Sequence, residues 1–455
     1  MNIFVHILSS RYRMILIGNG KVFTRDDEKP FLDDGAVLID GKYIKEVGDT
    51  KDLRAKYPDA EYKDARGRLV MPGFINTHMH YYSTFARGMS TDSPPATLFS
   101  QILKGLWWRL DKCLTLEDVY YSAIGPMIDQ IKCGVTTAID HHASPFAVEG
   151  SLFKIAEAAK ELGIRSNLSY EVSDRDGEAI RDAGIKENID FIKFCQKEND
   201  DMIKGLFGLH ASMTISDKTL DKCLEEVAAV NGGFHVHCAE GIEDIADSLE
   251  KYRMRVIERW YKTGVLSDKS IAVHCVHVNK EEIDMLRESK VAVVNNPESN
   301  MGNAVGAAPV LDMFSNGVLI GLGTDGYTAD MMESYKVISI IQKHVNGLPH
   351  VAWAEPPTML FENNKKIVER FIDGKIGTLK EGHYADMIIV DYTAPTPIDE
   401  NNLNGHLLFG VTGRHVDTTI VNGRVLMDER ILVNIDEERL MAKSVELAQR
   451  LWNRI

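Results

Sequence analysis

Residues 71–80 read MPGFINTHMH, a short apolar run that closes on His78 and His80. Side chains two apart on an extended chain share one face. The pair would therefore aim two imidazoles at a common centre from the end of a strand. A His-x-His also arises in any strand with a polar face, so its surroundings must decide. Seven more runs of this kind follow: VTTAIDHH, IRSNLSY, KGLFGLHAS, GFHVHCAE, SIAVHCVHV, KVAVVNN and GVLIGLGTDG. Helical stretches separate them, long enough to cross back outside a parallel sheet. Eight strands alternating with helices are what a (β/α)8 barrel requires. We expect an α/β fold with a TIM barrel over residues 73–373.

The helical stretches carry end signals. Thr115 with Asp118 opens TLEDVYYSAIGPMIDQIKC as a capping box, and Gly134 stands just past its end. On either side of the barrel the rhythm differs. MILIGNG, GAVLIDGKYIKEVG and RGRLVMPG alternate apolar and polar residues before it. IGTLKEGHYADMIIVD, VDTTIVNG and RVLMDERILV do so after it, ahead of an amphipathic helix, EERLMAKSVELAQRLW. Neither flank alternates enough to bury a core alone. We expect residues 1–72 and 374–455 to form one composite β-sandwich domain. Within it, residues 1–13 look like a dispensable extension, since Met14 could itself open the chain.

Lys and Arg number 52 against 67 Asp and Glu, a net charge of -15. That sign opposes attraction to nucleic acid phosphates and anionic lipid, leaving a small molecule as the expected partner. The six cysteines are scattered with no C-x-x-C pair, which suggests neither a disulfide framework nor a cysteine zinc site and fits a reducing cytoplasm. No apolar run approaches the roughly 18 residues of a membrane helix.

In this barrel family sites form at the C-terminal ends of the strands. Those ends carry His78 and His80, then His141 and His142, His210, His237 and Glu240, His274 and His277, and finally Asp325. One buried histidine is an ordinary core residue, but several strands ending alike on one rim are not. Neutral imidazoles with a carboxylate suit one divalent ion, zinc or ferrous iron, with a water on an open position. Glu240, three residues past His237, could protonate a ring nitrogen. Asp325 or His274 could then take the proton from the attacking water. Trp107 and Trp108 offer stacking faces for a flat ring, Trp108 being the candidate contact, and at least one of His141 and His142 is expected to face the substrate.

PGFINTHMH, HVHCAE, AVHCVH, NNPESNM and GLGTDG, in that order, resemble the metal-dependent amidohydrolase superfamily in its cytosine deaminase-like and chlorohydrolase-like branch. LKGLWWRLDKCLTLEDVYYSA and IDHHASP are similar to the aminohydrolase group called SsnA. The resemblance runs from about Met14 to the end. It implies metal binding by His78, His80, His237 and Asp325, proton shuttling by Glu240, and water activation by His274 with Asp325. His210 matches a position that faces substrate; in binuclear relatives a carboxylated lysine stands there, so one metal is implied. The implied activity removes ammonia from an amino-substituted purine, pyrimidine or triazine. A chlorohydrolase or cyclic amide hydrolase using the same site is the alternative, and a non-catalytic scaffold is disfavoured because every ligand position is filled. Family habit implies a homo-oligomer, dimer or tetramer.

Overall fold

The computed structural model describes residues 14–455; the expected extension, 1–13, lies outside the described residues. The chain divides into two compact units. One gathers the N-terminal part through Phe74, Ile131–Thr136 and Asp373–Val433. Its strands, among the described residues, form one nine-stranded sheet. Met387–Val390 pairs antiparallel with Leu69–Pro72, setting Ile389 opposite Val70, and so joins the two chain ends. By hydrogen bonding the expected sandwich is thus one continuous sheet. Strand alternation sorts its side chains. Ile17, Val37 and Ile39 meet Met387, Ile389 and Ile420 in one core cluster, while Leu16, Ala36 and Leu38 pack on Leu53 of the short helix Thr50–Lys56.

The other unit holds Ile75–Gln130, Thr137–Ile372 and Asn434–Ile455. Each of the eight expected runs contains a strand. Phe74–Met79, Val135–His142, Arg165–Tyr170 and Ile203–Gly205 neighbour one another in one sheet. Phe207–Leu209, Phe234–Cys238, Ile271–His274, Ala292–Asn295 and Leu319–Leu322 form a second, parallel throughout. The expected strand KGLFGLHAS is therefore interrupted at Leu206, whose N–H donates to Leu168 O instead. Two isolated parallel bridges, Val172 with Leu209 and Met79 with Asp325, link the sheets. The strand cores are aliphatic and fully buried, as at Val236, Val273, Val293 and Ile320, each contributing about 1.5–3 kcal/mol of burial.

Helix Leu116–Lys132 starts as its sequence indicates. Asp118 N–H donates to Thr115 Oγ1 at 3.2 Å and Thr115 N–H to Asp118 Oδ2 at 2.8 Å. The closing helix, Glu437–Trp452, was expected in the composite β domain but belongs to the parallel-strand unit. Its polar anchors explain this: Trp452 Nε1 donates to Phe85 O at 2.6 Å, and Arg454 pairs with Asp118. Among the described residues no helix is long and apolar enough to cross a membrane.

Candidate functional site

Parallel pairing brings the strand tips together and backbone hydrogen bonds fix them. Thr324 and Asp325 N–H both donate to His78 O, at 3.0 and 3.1 Å; His237 N–H donates to His210 O and Cys275 N–H to Cys238 O, both at 3.0 Å. Gly323 is required at this crossing, because a Cβ there would stand 2.8 Å from His78 O and 2.5 Å from Asn296 Oδ1. Past the tips the chain leaves the ordinary backbone regions. Ala239, His274, Cys275 and Asp325 all have positive φ, 72° at His274. Such conformations cost about 1–3 kcal/mol each and gather where a site over-determines them.

Asp325 Oδ1 lies 3.3 Å from His80 Nε2 and 4.0 Å from His78 Nε2. His80 Nε2 is 3.2 Å from His237 Nε2. Ligand atoms around a tetrahedral zinc ion are roughly 3.4 Å apart, so these spacings fit one divalent ion. The tautomers agree. His80 Nδ1 donates to His141 O, His237 Nδ1 to His210 O at 2.9 Å and His274 Nδ1 to Asn300 Oδ1 at 2.8 Å. That leaves each Nε2 with a bare lone pair facing inward. His78 Nε2 and His274 Nε2 are buried with no hydrogen-bond partner, so their lone pairs are free to accept a cation or a proton. Behind them His235 Nε2 meets His78 Nδ1 at 2.9 Å and sets that ring.

Burial, reinforced by neighbouring imidazoles, holds His78, His141 and His237 well below the usual histidine range, hence neutral and able to ligate. Burial also works to raise Asp325, but His80, His274, the Ser299 hydroxyl at 2.6 Å and Gly326 N–H outweigh it and keep the carboxylate ionised. Glu240 goes the other way: burial first, then the nearby Asp325, push it well above the carboxylate range. Its Oε2 lies 3.3 Å from His274 Nε2, which is 3.7 Å from Asp325 Oδ2. A carboxyl pushed toward its protonated form, an imidazole nitrogen and a carboxylate are thus arrayed side by side, suited to moving protons onto and off a bound ring.

A cleft opens over this floor, lined by His80, His210, His237, Glu240, His274 and Asp325, with Phe99, Leu103, Trp107 and Trp108 forming an apolar wall. Trp108 stands edge-on to His210, ring centroids 5.9 Å apart. The structure places His141 and His142 differently from expectation, since neither lines the cleft. His141 Nε2 faces Leu209 O and His235 O, and its own carbonyl steadies His80. His142 Nε2 turns to Ser144 Oγ at 2.9 Å. A strand that ends in two adjacent histidines sends them to opposite sides, and both sides here are filled by protein. Sequence reasoning missed Glu171, one residue beyond the third strand, which lines the cleft with 7% exposure. Its position at a strand end was the available signal. Tyr82, Asn303 and Tyr327 also line it; they follow strand ends by several residues and carry no such signal.

Residues 69–426 match the Amidohydrolase family, and residues 35–60 match the imidazolonepropionase-like composite domain of bacteria. A 5-methylthioadenosine/S-adenosylhomocysteine deaminase of Pelotomaculum thermopropionicum is 31% identical over 97% of this chain and 99% of its own. A 5'-deoxyadenosine deaminase of Methanobrevibacter smithii is 32% identical over 92% and 94%. Among solved structures, an adenosine deaminase of Xanthomonas campestris with bound zinc superposes with a TM-score of 0.84 at 22% identity, covering 96% of this chain and 98% of that one.

Proposed function

The chain belongs to the amidohydrolase family, hydrolases of carbon–nitrogen bonds, and on that premise we propose that it removes the exocyclic amine of an aminopurine nucleoside as ammonia. Relatives at 31% and 32% identity, one a 5-methylthioadenosine/S-adenosylhomocysteine deaminase and the other a 5'-deoxyadenosine deaminase, support the substrate class. The observation that carries the chemistry is the contact of Glu240 Oε2 with His274 Nε2 at 3.3 Å inside a donor cluster that also includes Asp325.

His78, His80, His237 and Asp325 would hold one divalent ion, and zinc suits three imidazoles and a carboxylate. When bound, such an ion lowers the pKa of a water toward neutrality. The chain's own groups do the rest. His274 Nε2 and the Asp325 carboxylate take the proton of the attacking water. Glu240, kept protonated by its surroundings, delivers its proton to the ring nitrogen beside the amine-bearing carbon, which makes that carbon electrophilic. The same pair then returns a proton to the amine, Glu240 takes back a proton from the hydroxyl of the adduct, and the carbon–nitrogen bond breaks to release ammonia and a lactam. Trp107, Trp108 and Leu103 exclude bulk water from one side of the ring. We read the two bridged sheets as a closed eight-stranded barrel with this site at its mouth, supported by parallel bridges at both seams.

The test is ammonia release by zinc-loaded protein from adenosine, 5'-deoxyadenosine and 5'-methylthioadenosine. Turnover of at least one, abolished in Glu240→Gln, is the expected result; no ammonia from all three overturns the nucleoside reading.

A further inference from the structure

Glu171 is a buried carboxylate facing the cleft that no role above uses. It accepts no hydrogen bond within the described residues: Arg175 Nη2 lies 3.7 Å and His141 Nδ1 3.6 Å from its oxygens. Only Arg175 brings a charge, His141 being neutral, and both distances are too long for hydrogen bonds. Arg175 is already engaged elsewhere, paired with Asp111 and stacked over Trp108 at 5.2 Å. Its oxygens are not sealed from solvent but open onto the same cleft as His210 and His237, so a ligand that fills the cleft would strip their water and must supply a donor in its place.

A second cation is the first occupant to consider, because Glu171, His210 and His237 have donor atoms within 4.8 Å of one another. The nitrogens of His237 are both committed, Nδ1 to His210 O and Nε2 to the ion that it would share with His80, and His210 Nδ1 meets Thr214 Oγ1 at 2.7 Å. That leaves one carboxylate and one imidazole nitrogen, too few protein donors for a second resident ion. A ligand that brings its own donor satisfies Glu171 better.

We propose that Glu171 is a specificity-determining residue that accepts a hydrogen bond from an O–H or N–H donor of the substrate, so the protein selects heterocycles carrying a sugar hydroxyl or a ring N–H on that side. Arg175 fixes the carboxylate by charge without using its lone pairs. This inference rests on the deaminase reading for the site in which it acts.

Glu171→Ala and the near-isosteric Glu171→Gln test it on two substrate pairs, adenosine against 2',3'-dideoxyadenosine and adenine against 9-methyladenine. Loss of one hydrogen bond to a buried charge predicts a fall in kcat/KM of roughly tenfold to a hundredfold in Glu171→Ala, mostly through KM. The fall should appear with the donor-bearing member of one pair only, which tells a hydroxyl from a ring N–H, while its stripped partner changes by less than about twofold. Glu171→Gln should fall between, with metal content unchanged. Equal losses on both members, no loss on any, or a drop in bound metal overturns the inference. Calorimetric binding of purine riboside and its 2',3'-dideoxy analogue, and of purine and 9-methylpurine, reads it without turnover. Should the wild type release no ammonia yet bind one donor-bearing ligand more tightly than its stripped analogue, with Glu171→Ala erasing that preference, the inference stands and the deaminase reading falls. Equal binding, or none, overturns the inference.

Discussion

The nine-stranded sheet and the strand tips of the parallel-strand unit bury their residues by opposite rules. In the sheet the interior is aliphatic, and its tight turn from Val416–Val421 to Arg424–Asp428 takes positive φ at Asn422 and Gly423, residue types suited to it. A buried hydroxyl there, that of Thr50, donates to Gly35 O at 3.0 Å. At the strand tips the interior is polar, lone pairs face one another, and positive φ falls on His274, Cys275 and Asp325. The difference teaches where to look for chemistry: a region that departs from the rules of stable packing in several ways at once has been shaped by something other than stability.

The largest effect expected on that contrast comes from Glu240→Gln. It keeps the shape and removes the mobile proton, so kcat should fall by about 10³-fold or more while metal content by elemental analysis stays at the wild-type level; wild-type turnover would remove Glu240 from its role. In the sheet the converse holds. Ile389→Ala should cost about 2–4 kcal/mol of unfolding free energy in denaturant titration while kcat per folded molecule is unchanged. A loss of kcat there would break the separation of roles drawn above.

His235→Asn removes the partner of His78 Nδ1 without touching a ligand atom. Metal affinity, measured by competition with a chelator, should weaken by about ten- to a hundredfold, and unchanged affinity would show that the ring needs no support. The smallest effect concerns Glu298, in the helix Pro297–Gly302 that follows the seventh strand, where burial pushes the carboxyl up to about 7. A raised folded value means that its stabilising contribution is full below the ordinary value of 4.5 and is lost as pH rises through 7. Glu298→Gln should therefore flatten the fall in stability between those limits by about 1–3 kcal/mol. A slope identical to wild type would assign the pH dependence to other groups.

Much of this was legible because the side-chain period of a strand is two and sites in such folds gather at one end. His78, His80, His237, Glu240, His274, His210 and Asp325 could each be read from where its strand stops. His141 and His142 could not be assigned by the same rule, because a strand end points residues to both sides and only the neighbours show which side is open. Glu171 stood at a strand end too, yet a lone carboxylate carries no motif, and its lack of donors is visible only once Arg175 and His141 are located. The closing helix was misassigned for a similar reason: its amphipathic stripe shows that it packs, whereas Trp452 and Arg454 decide against what.

By itself the sequence determined the order of the strand-bearing runs, the family, and the set of groups able to bind a metal and move protons, because periodicity and residue chemistry are local properties. Only the tertiary structure decided which imidazoles keep a bare nitrogen, which carboxyl stays protonated, and which buried charge is left for a ligand to satisfy. Those depend on distances of a few ångströms between residues far apart in the chain, and on the burial that turns such distances into differences of several kcal/mol.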